Sequence, residues 1–240
     1  MDRARGRSTS RCATGARHVG RNVVGQTRKR ERGERGAAAV EFALVVPILL
    51  LFMLGTLELA LFMKDNVSMS SSVRAGARTA SAAADAGPGT CEASASPPPC
   101  TPAAAPGFAQ AAADTMQTAG TAMNADDIQW VMVYKANSQG FPGSESTIPT
   151  NCPANCVKYV WDAGLNKFRY SSGSWSSASV NACVNESDSV GVALRADHEW
   201  FTGLVRGLMG GDMEMTERTV MKFEPLEHDS CKPGTPNAHS

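Results

Sequence analysis

Residues 37–63 read AAAVEFALVVPILLLFMLGTLELALFM, and this stretch decides the fold. As a helix, 27 residues reach about 40 Å at ~1.5 Å per residue. That exceeds the ~30 Å hydrocarbon core of a bilayer. A cleaved secretory signal is the rival reading, but its apolar core runs to about 7–15 residues with a small-x-small site just beyond. Here the run is longer, and Lys64-Asp65-Asn66 follows it. Pro47 can kink such a helix, which membrane helices tolerate when neighbours satisfy the freed backbone groups. Glu41 and Glu58 lie near its two ends. An acid inside a membrane segment is a functional-site candidate by default. Glu58 reads more simply as an interfacial carboxylate near Lys64, whereas Glu41 gains significance from its place five residues after Gly36.

The net charge is zero, but it is unevenly distributed. Residues 1–36 carry eleven basic residues against Asp2, Glu31 and Glu34, and the rest carries twelve basic against twenty acidic. A basic flank ahead of an apolar span holds the N-terminus in the cytoplasm. The expected topology is therefore a single pass through the cell membrane, with everything from about Lys64 onward outside. An Arg-rich leader can also bind nucleic acid, but the remainder of the chain is acidic, so no nucleic-acid partner is expected.

The junction Arg35-Gly36-Ala37-Ala38-Ala39-Val40-Glu41-Phe42 adds a processing signal. Glycine before a scissile bond lets a protease approach the backbone closely. Cleavage there would give Ala37 a new ammonium group at the membrane edge. The Glu41 carboxylate, of the same or a neighbouring subunit, can neutralise it.

With those residues in view, the chain resembles the TadE-like family, small pseudopilin-like proteins of bacterial tight-adherence (Flp) pilus systems. The resemblance rests on RGAAAVEFALVVPILLLFMLGTLELA at 35–60, on VRAGARTAS at 73–81, and more loosely on TVMKFEP at 219–225. Arg35, Gly36, Val40, Glu41, Phe42, Pro47, Gly55 and Glu58 fill the family's N-terminal positions. After the membrane the family reads Ala-Arg-Glu-Gly-Ala-Arg. Here Val73-Arg74-Ala75-Gly76-Ala77-Arg78 keeps both arginines and lacks the glutamate. The resemblance implies cleavage between Gly36 and Ala37 by a prepilin-type peptidase, and partnership with other pilins or pilus-assembly proteins in the lipid bilayer. The alternative is an uncleaved single-pass membrane protein presenting a disulfide-bonded extracellular binding domain.

The rest of the chain predicts an α+β outer domain. The expected divisions are a leader at 1–36, the membrane helix at 37–63, its extension at 64–85, a Pro/Ala-rich loop at 86–106, the α+β domain at 107–225 and a polar tail at 226–240. Val67, Val73, Ala77, Ala80 and Ala84 follow helical spacing. Arg74 and Arg78 share one helix face and are candidates for docking to an acidic surface. Phe108, Ala112, Met116, Ala119 and Met123 suggest a short second helix. From Ile128 the period changes to two. Trp130, Met132 and Tyr134 alternate with Val131 and Val133, so both faces are apolar and the strand should be central. Further alternating runs lie at 157–162, 168–170, 190–196 and 213–223. Asp162–Asn166 reads as a hairpin loop, Ser171–Ser179 as a Ser-rich connection, and Phe201–Met209 as a short helix or turn. Four or five mostly antiparallel strands result.

Cys12 lies in the leader; Cys91, Cys100, Cys152, Cys156, Cys183 and Cys231 all lie outside. An even set in an exported domain reads as disulfides, with 15 pairings open for six cysteines. Proximity favours Cys91–Cys100 and Cys152–Cys156, leaving Cys183–Cys231. Zinc at Cys152 and Cys156 would need a second close Cys or His pair, which His18, His198, His228 and His239 do not supply. No metal or other cofactor is expected. No catalytic motif is present: there is no Gly-x-Ser-x-Gly, no His-Glu-x-x-His and no phosphate-cradling glycine loop. Asp197-His198-Glu199 reads as exposed polar residues. The chain is expected to be an assembly component and not an enzyme.

Overall fold

The computed structural model describes residues 27–89, 105–118, 123–227 and 231. The chain divides into two compact units, Met1–Phe52 and Met53–Ser240. One helix, α1 (Thr27–Ala82), contributes to both and continues through Pro47. In the first unit its described side chains are nearly all exposed, Val40, Phe42, Leu44, Leu49 and Phe52 among them. The helix is long and apolar enough to cross a membrane.

The second unit is an antiparallel five-stranded sheet packed on helices. The elements after α1 are α2 (Gly107–Thr118), β1 (Ile128–Ala136), β2 (Cys156–Asp162), β3 (Lys167–Ser174), β4 (Ser189–His198), α3 (Gly203–Met209) and β5 (Met213–Lys222). The sheet order is β3-β2-β1-β4-β5, and every pairing is antiparallel. β1 is central, as its two apolar faces predicted. Val131 and Val133 point into the main core with α1 and α2, while Trp130, Met132 and Tyr134 form a smaller cluster on the other face with Cys156 and Ala193. That second face keeps its apolar side chains dry in part through cations. The Arg195 guanidinium lies 4.9 Å and the Lys158 ammonium 5.4 Å from the Trp130 ring centre, an arrangement favoured by the ring quadrupole.

The C-terminal part of α1 buries Met69, Val73, Ala77 and Ala80 at zero to 1 % exposure, and Ala84, in the turn just after the helix, is buried as well. Spacings of three and four put them on one stripe. Val67, expected in this stripe, is exposed. It lies six residues before Val73, which is not a helical repeat, and Met69 takes the place at four. Small residues let α2 approach closely: a methyl group at Gly76 would run into Met116 and come 3.3 Å from the Ala112 carbonyl oxygen. In α2, Phe108, Ala112 and Met116 are buried as the spacing predicted. Met123 is also buried but follows the helix, and Ala119 lies outside the described residues. The hairpin at Asp162–Asn166 is present, with the Leu165 N–H donating to the Asp162 carboxylate at 3.1 Å and Asn166 at φ 53°. The Ser-rich segment departs from expectation. Ser171–Ser174 continues β3 and pairs with β2, so the connection begins only at Trp175.

Candidate functional site

The first candidate site is the leader junction. Gly36 lies within α1, with open space where a side chain would sit. A helical peptide bond is a poor protease substrate, because a peptidase must reach the backbone. Gly33 and Gly36 lower the cost of unwinding, since glycine is about 1 kcal/mol worse than alanine in a helix interior. Ala37 and Glu41 follow on the same helix, and both are exposed. The Glu41 carboxylate is therefore free to meet a charge from outside its own chain.

The second site is where α1 meets the α+β domain. Glu58, expected as an interfacial carboxylate near Lys64, is instead only 3 % exposed. It accepts hydrogen bonds from the Phe201 N–H at 3.0 Å, the Thr202 N–H at 2.5 Å and the Thr202 hydroxyl at 2.6 Å. Lys64 pairs with Asp65 at 3.7 Å. The physical reason is helical phase: six residues make about one and two-thirds turns, which puts Lys64 on another face from Glu58. Burying a carboxylate without partners is very costly; here three donors converge on it. Thr202 is the N-cap residue of α3, yet its hydroxyl makes no capping bond of its own. It is turned over to Glu58.

Four and seven residues further along α1, Phe62 and Asp65 continue the same face. The Phe62 ring packs edge-on to His198 with centroids 5.4 Å apart and stacks on Trp200 at 6.4 Å. The Asp65 carboxylate lies 2.7 Å from Nδ1 of His198. His198, read from sequence as surface, is 1 % exposed. It ends β4, where its side chain faces inward, and α1 covers it. Glu58, Phe62, Asp65, Met69, Val73 and Ala77 thus form one docking stripe, polar at one end and apolar at the other. The signal was available as the spacing 58, 62, 65, 69; what sequence could not supply was the partner, more than 130 residues away.

The model of the TadE-like protein family matches residues 36–78. That segment is TadE-like. It covers under a fifth of the chain, from Gly36 through the docking stripe to Arg78. No curated protein and no solved structure matches the chain. Within the TadE-like segment the structure gives separate parts to residues that look alike in sequence. Glu41 is exposed and Glu58 is bonded into the α+β domain; Gly55 has open space around it while Gly76 makes the α1–α2 contact. Arg74 and Arg78 are both exposed, on the face of α1 away from the stripe.

Among the described residues two disulfides are formed, Cys152–Cys156 and Cys183–Cys231. Cys152 and Cys156, weighed as zinc ligands, are bonded to each other. Cys91 and Cys100 lie outside the described residues, as do Cys12, His18, His228 and His239. Among the described residues, no three His, Cys, Asp or Glu side chains come together as a metal site.

Proposed function

We propose that this chain is a membrane-anchored, pilin-like component of a Tad/Flp pilus assembly or secretion apparatus, cut between Gly36 and Ala37 by a prepilin-type peptidase. The observation that carries the reading is the TadE-like match, which begins at Gly36 and runs along one continuous helix. An exposed apolar segment on that helix and a disulfide-bonded α+β domain after it are what such a subunit needs. The basic leader sets the N-terminus in the cytoplasm and the domain outside. The role is assembly with other subunits and not turnover of a substrate.

The test is the mature N-terminus. Co-expression with a matching prepilin peptidase should yield a chain that begins at Ala37 by mass spectrometry. Gly36→Val should block the cut, and because Gly36 has open space around it, the substitution does so without disturbing a packed neighbour. A native chain that still begins at Met1 while the peptidase is active would sink the proposal and favour an uncleaved membrane-anchored binding domain.

A further inference from the structure

Around α3 the domain exposes apolar side chains that its own core does not use. Phe201 is 73 % exposed, Leu208 82 %, Met209 58 % and Met213 43 %. They fall within thirteen residues of sequence. The segment is not loose, because it is held at both ends. Phe201 and Thr202 are bonded to Glu58, and the indole N–H of Trp200 donates to the Gly211 carbonyl at 3.0 Å. Arg206, the basic residue of α3, is paired with Asp212 at 2.8 Å.

The height at which it is held says what covers it. Ala37–Leu57 is 21 residues, or about 32 Å as a helix, which already fills a ~30 Å hydrocarbon core. Glu58 follows at once, so the segment is tied to α1 at the outer edge of that core. The exposed residues of α1 change character just above: Leu57, Leu59 and Met63 are apolar, whereas Lys64, Ser71, Arg74 and Arg78 are polar, with Val67 the one large apolar side chain exposed among them. Glu58 lies about 9 Å along the helix before Lys64, and interfacial segments bury their apolar face by ~5–10 Å. Trp200, with an apolar ring and a bonded N–H, is the residue type that populates the headgroup level.

We propose that residues 200–213 form a membrane foot: Phe201, Leu208, Met209 and Met213 insert into the outer face of the lipid bilayer beside Leu59 and Met63. The foot seats the outer domain on the membrane and screens the Glu58 carboxylate from lipid. The membrane span is correspondingly shorter than 37–63 and ends at Leu57. This inference rests on the reading of α1 as a membrane helix.

The test places the photo-crosslinking residue benzoylphenylalanine at Phe201 or Leu208 of the full chain. Leu49, in the proposed span, and Leu165, at the tip of the β2–β3 hairpin, are the reference positions. The proteins are reconstituted at low density in phosphatidylcholine–phosphatidylglycerol vesicles, irradiated, and analysed by mass spectrometry. Phospholipid adducts should form at 49, 201 and 208 in comparable yield, and several-fold less at 165. Adducts at 49 but not at 201 or 208 would overturn the foot while leaving the span. Adducts at 201 and 208 to a second copy of this chain, in place of lipid, would make the patch a subunit contact and overturn it equally. No lipid adduct at 49 would remove the membrane helix and the foot together. An intact Cys183–Cys231 bond in each variant confirms that the domain tested is folded.

Discussion

The Glu58 carboxylate takes both the backbone N–H and the hydroxyl of Thr202, a residue 144 positions away. This is the polar end of the contact between α1 and the α+β domain, and it has a consequence for stability. Glu58→Ala removes an acceptor from three donors, two of them backbone N–H groups. Hydrogen bonds to charged groups contribute about 1.5–3 kcal/mol in net terms. In a domain of this size, 1 kcal/mol moves the midpoint by roughly 2–4 °C. Thermal unfolding in detergent should therefore show Glu58→Ala lowered by several degrees, with Glu58→Gln intermediate. An unchanged midpoint for Glu58→Ala would mean that the contact is a surface adornment.

Glu41 should behave in the opposite way. It is exposed and carries no fold contact, so Glu41→Ala should leave both the midpoint and cleavage at Gly36 unchanged. Its loss should appear in assembly, as missing pili or missing co-purifying subunits. A buried, unpaired charge can cost ~3–5 kcal/mol, a figure that water and headgroups reduce at the membrane edge. Normal assembly by Glu41→Ala would show that the carboxylate does not meet the Ala37 amine.

Asp127, in the turn that leads into β1, gives a pH signature. Burial first, then the charges of Glu199, Asp65, Asp126 and Asp197, push its carboxyl above the ordinary carboxylate value. The folded state thus binds the proton more tightly than the unfolded chain. Its contribution is most favourable at low pH and is lost as pH rises through the raised folded value. Asp127→Asn should consequently raise the midpoint at neutral pH, and the gain should shrink as pH falls through the carboxylate range. A gain that is constant from pH 3 to pH 7, to take an order-of-magnitude window around carboxylate titration, would argue against this cause.

Two glycines of the α+β domain should separate cleanly. On β4, a methyl group at Gly191 would overlap the Tyr134 ring, whose hydroxyl is bonded to the Gly140 carbonyl at 3.1 Å. Gly191→Ala should cost about 1–3 kcal/mol, as overpacking of a filled core does. In α3, Gly207 has open space, and Gly207→Ala should be neutral or stabilise by up to ~1 kcal/mol. Chemical denaturation of the two variants checks the pair; equal effects would contradict the packing described here.

How far the sequence could be read depended on the range of the interaction. The centrality of β1 was legible, because Trp130, Met132 and Tyr134 on one face and Val131 and Val133 on the other cannot both be apolar at an edge. The hairpin at Asp162–Asn166 was legible for the same local reason. Val67 is β-branched and apolar and so looks like core in sequence, but helical phase exposes it and buries Met69 instead. The burial of Glu58 and His198 was not legible locally. Each looks like surface when alone, and only the return of β4 and α3 to α1 brings their partners within 3 Å. Charge in sequence says where water is expected; it does not say which backbone amides come to replace that water.

The Cys183–Cys231 bond has a mechanical consequence. A pull applied to the chain beyond Cys231 enters the fold at Cys183, because the disulfide is the shortest covalent route. The residues between, which carry β4, α3 and β5, are bypassed and bear no tension. The segment that grips Glu58 is therefore shielded from any load arriving through the C-terminus. Such a load reaches the sheet without first unzipping the edge strand β5.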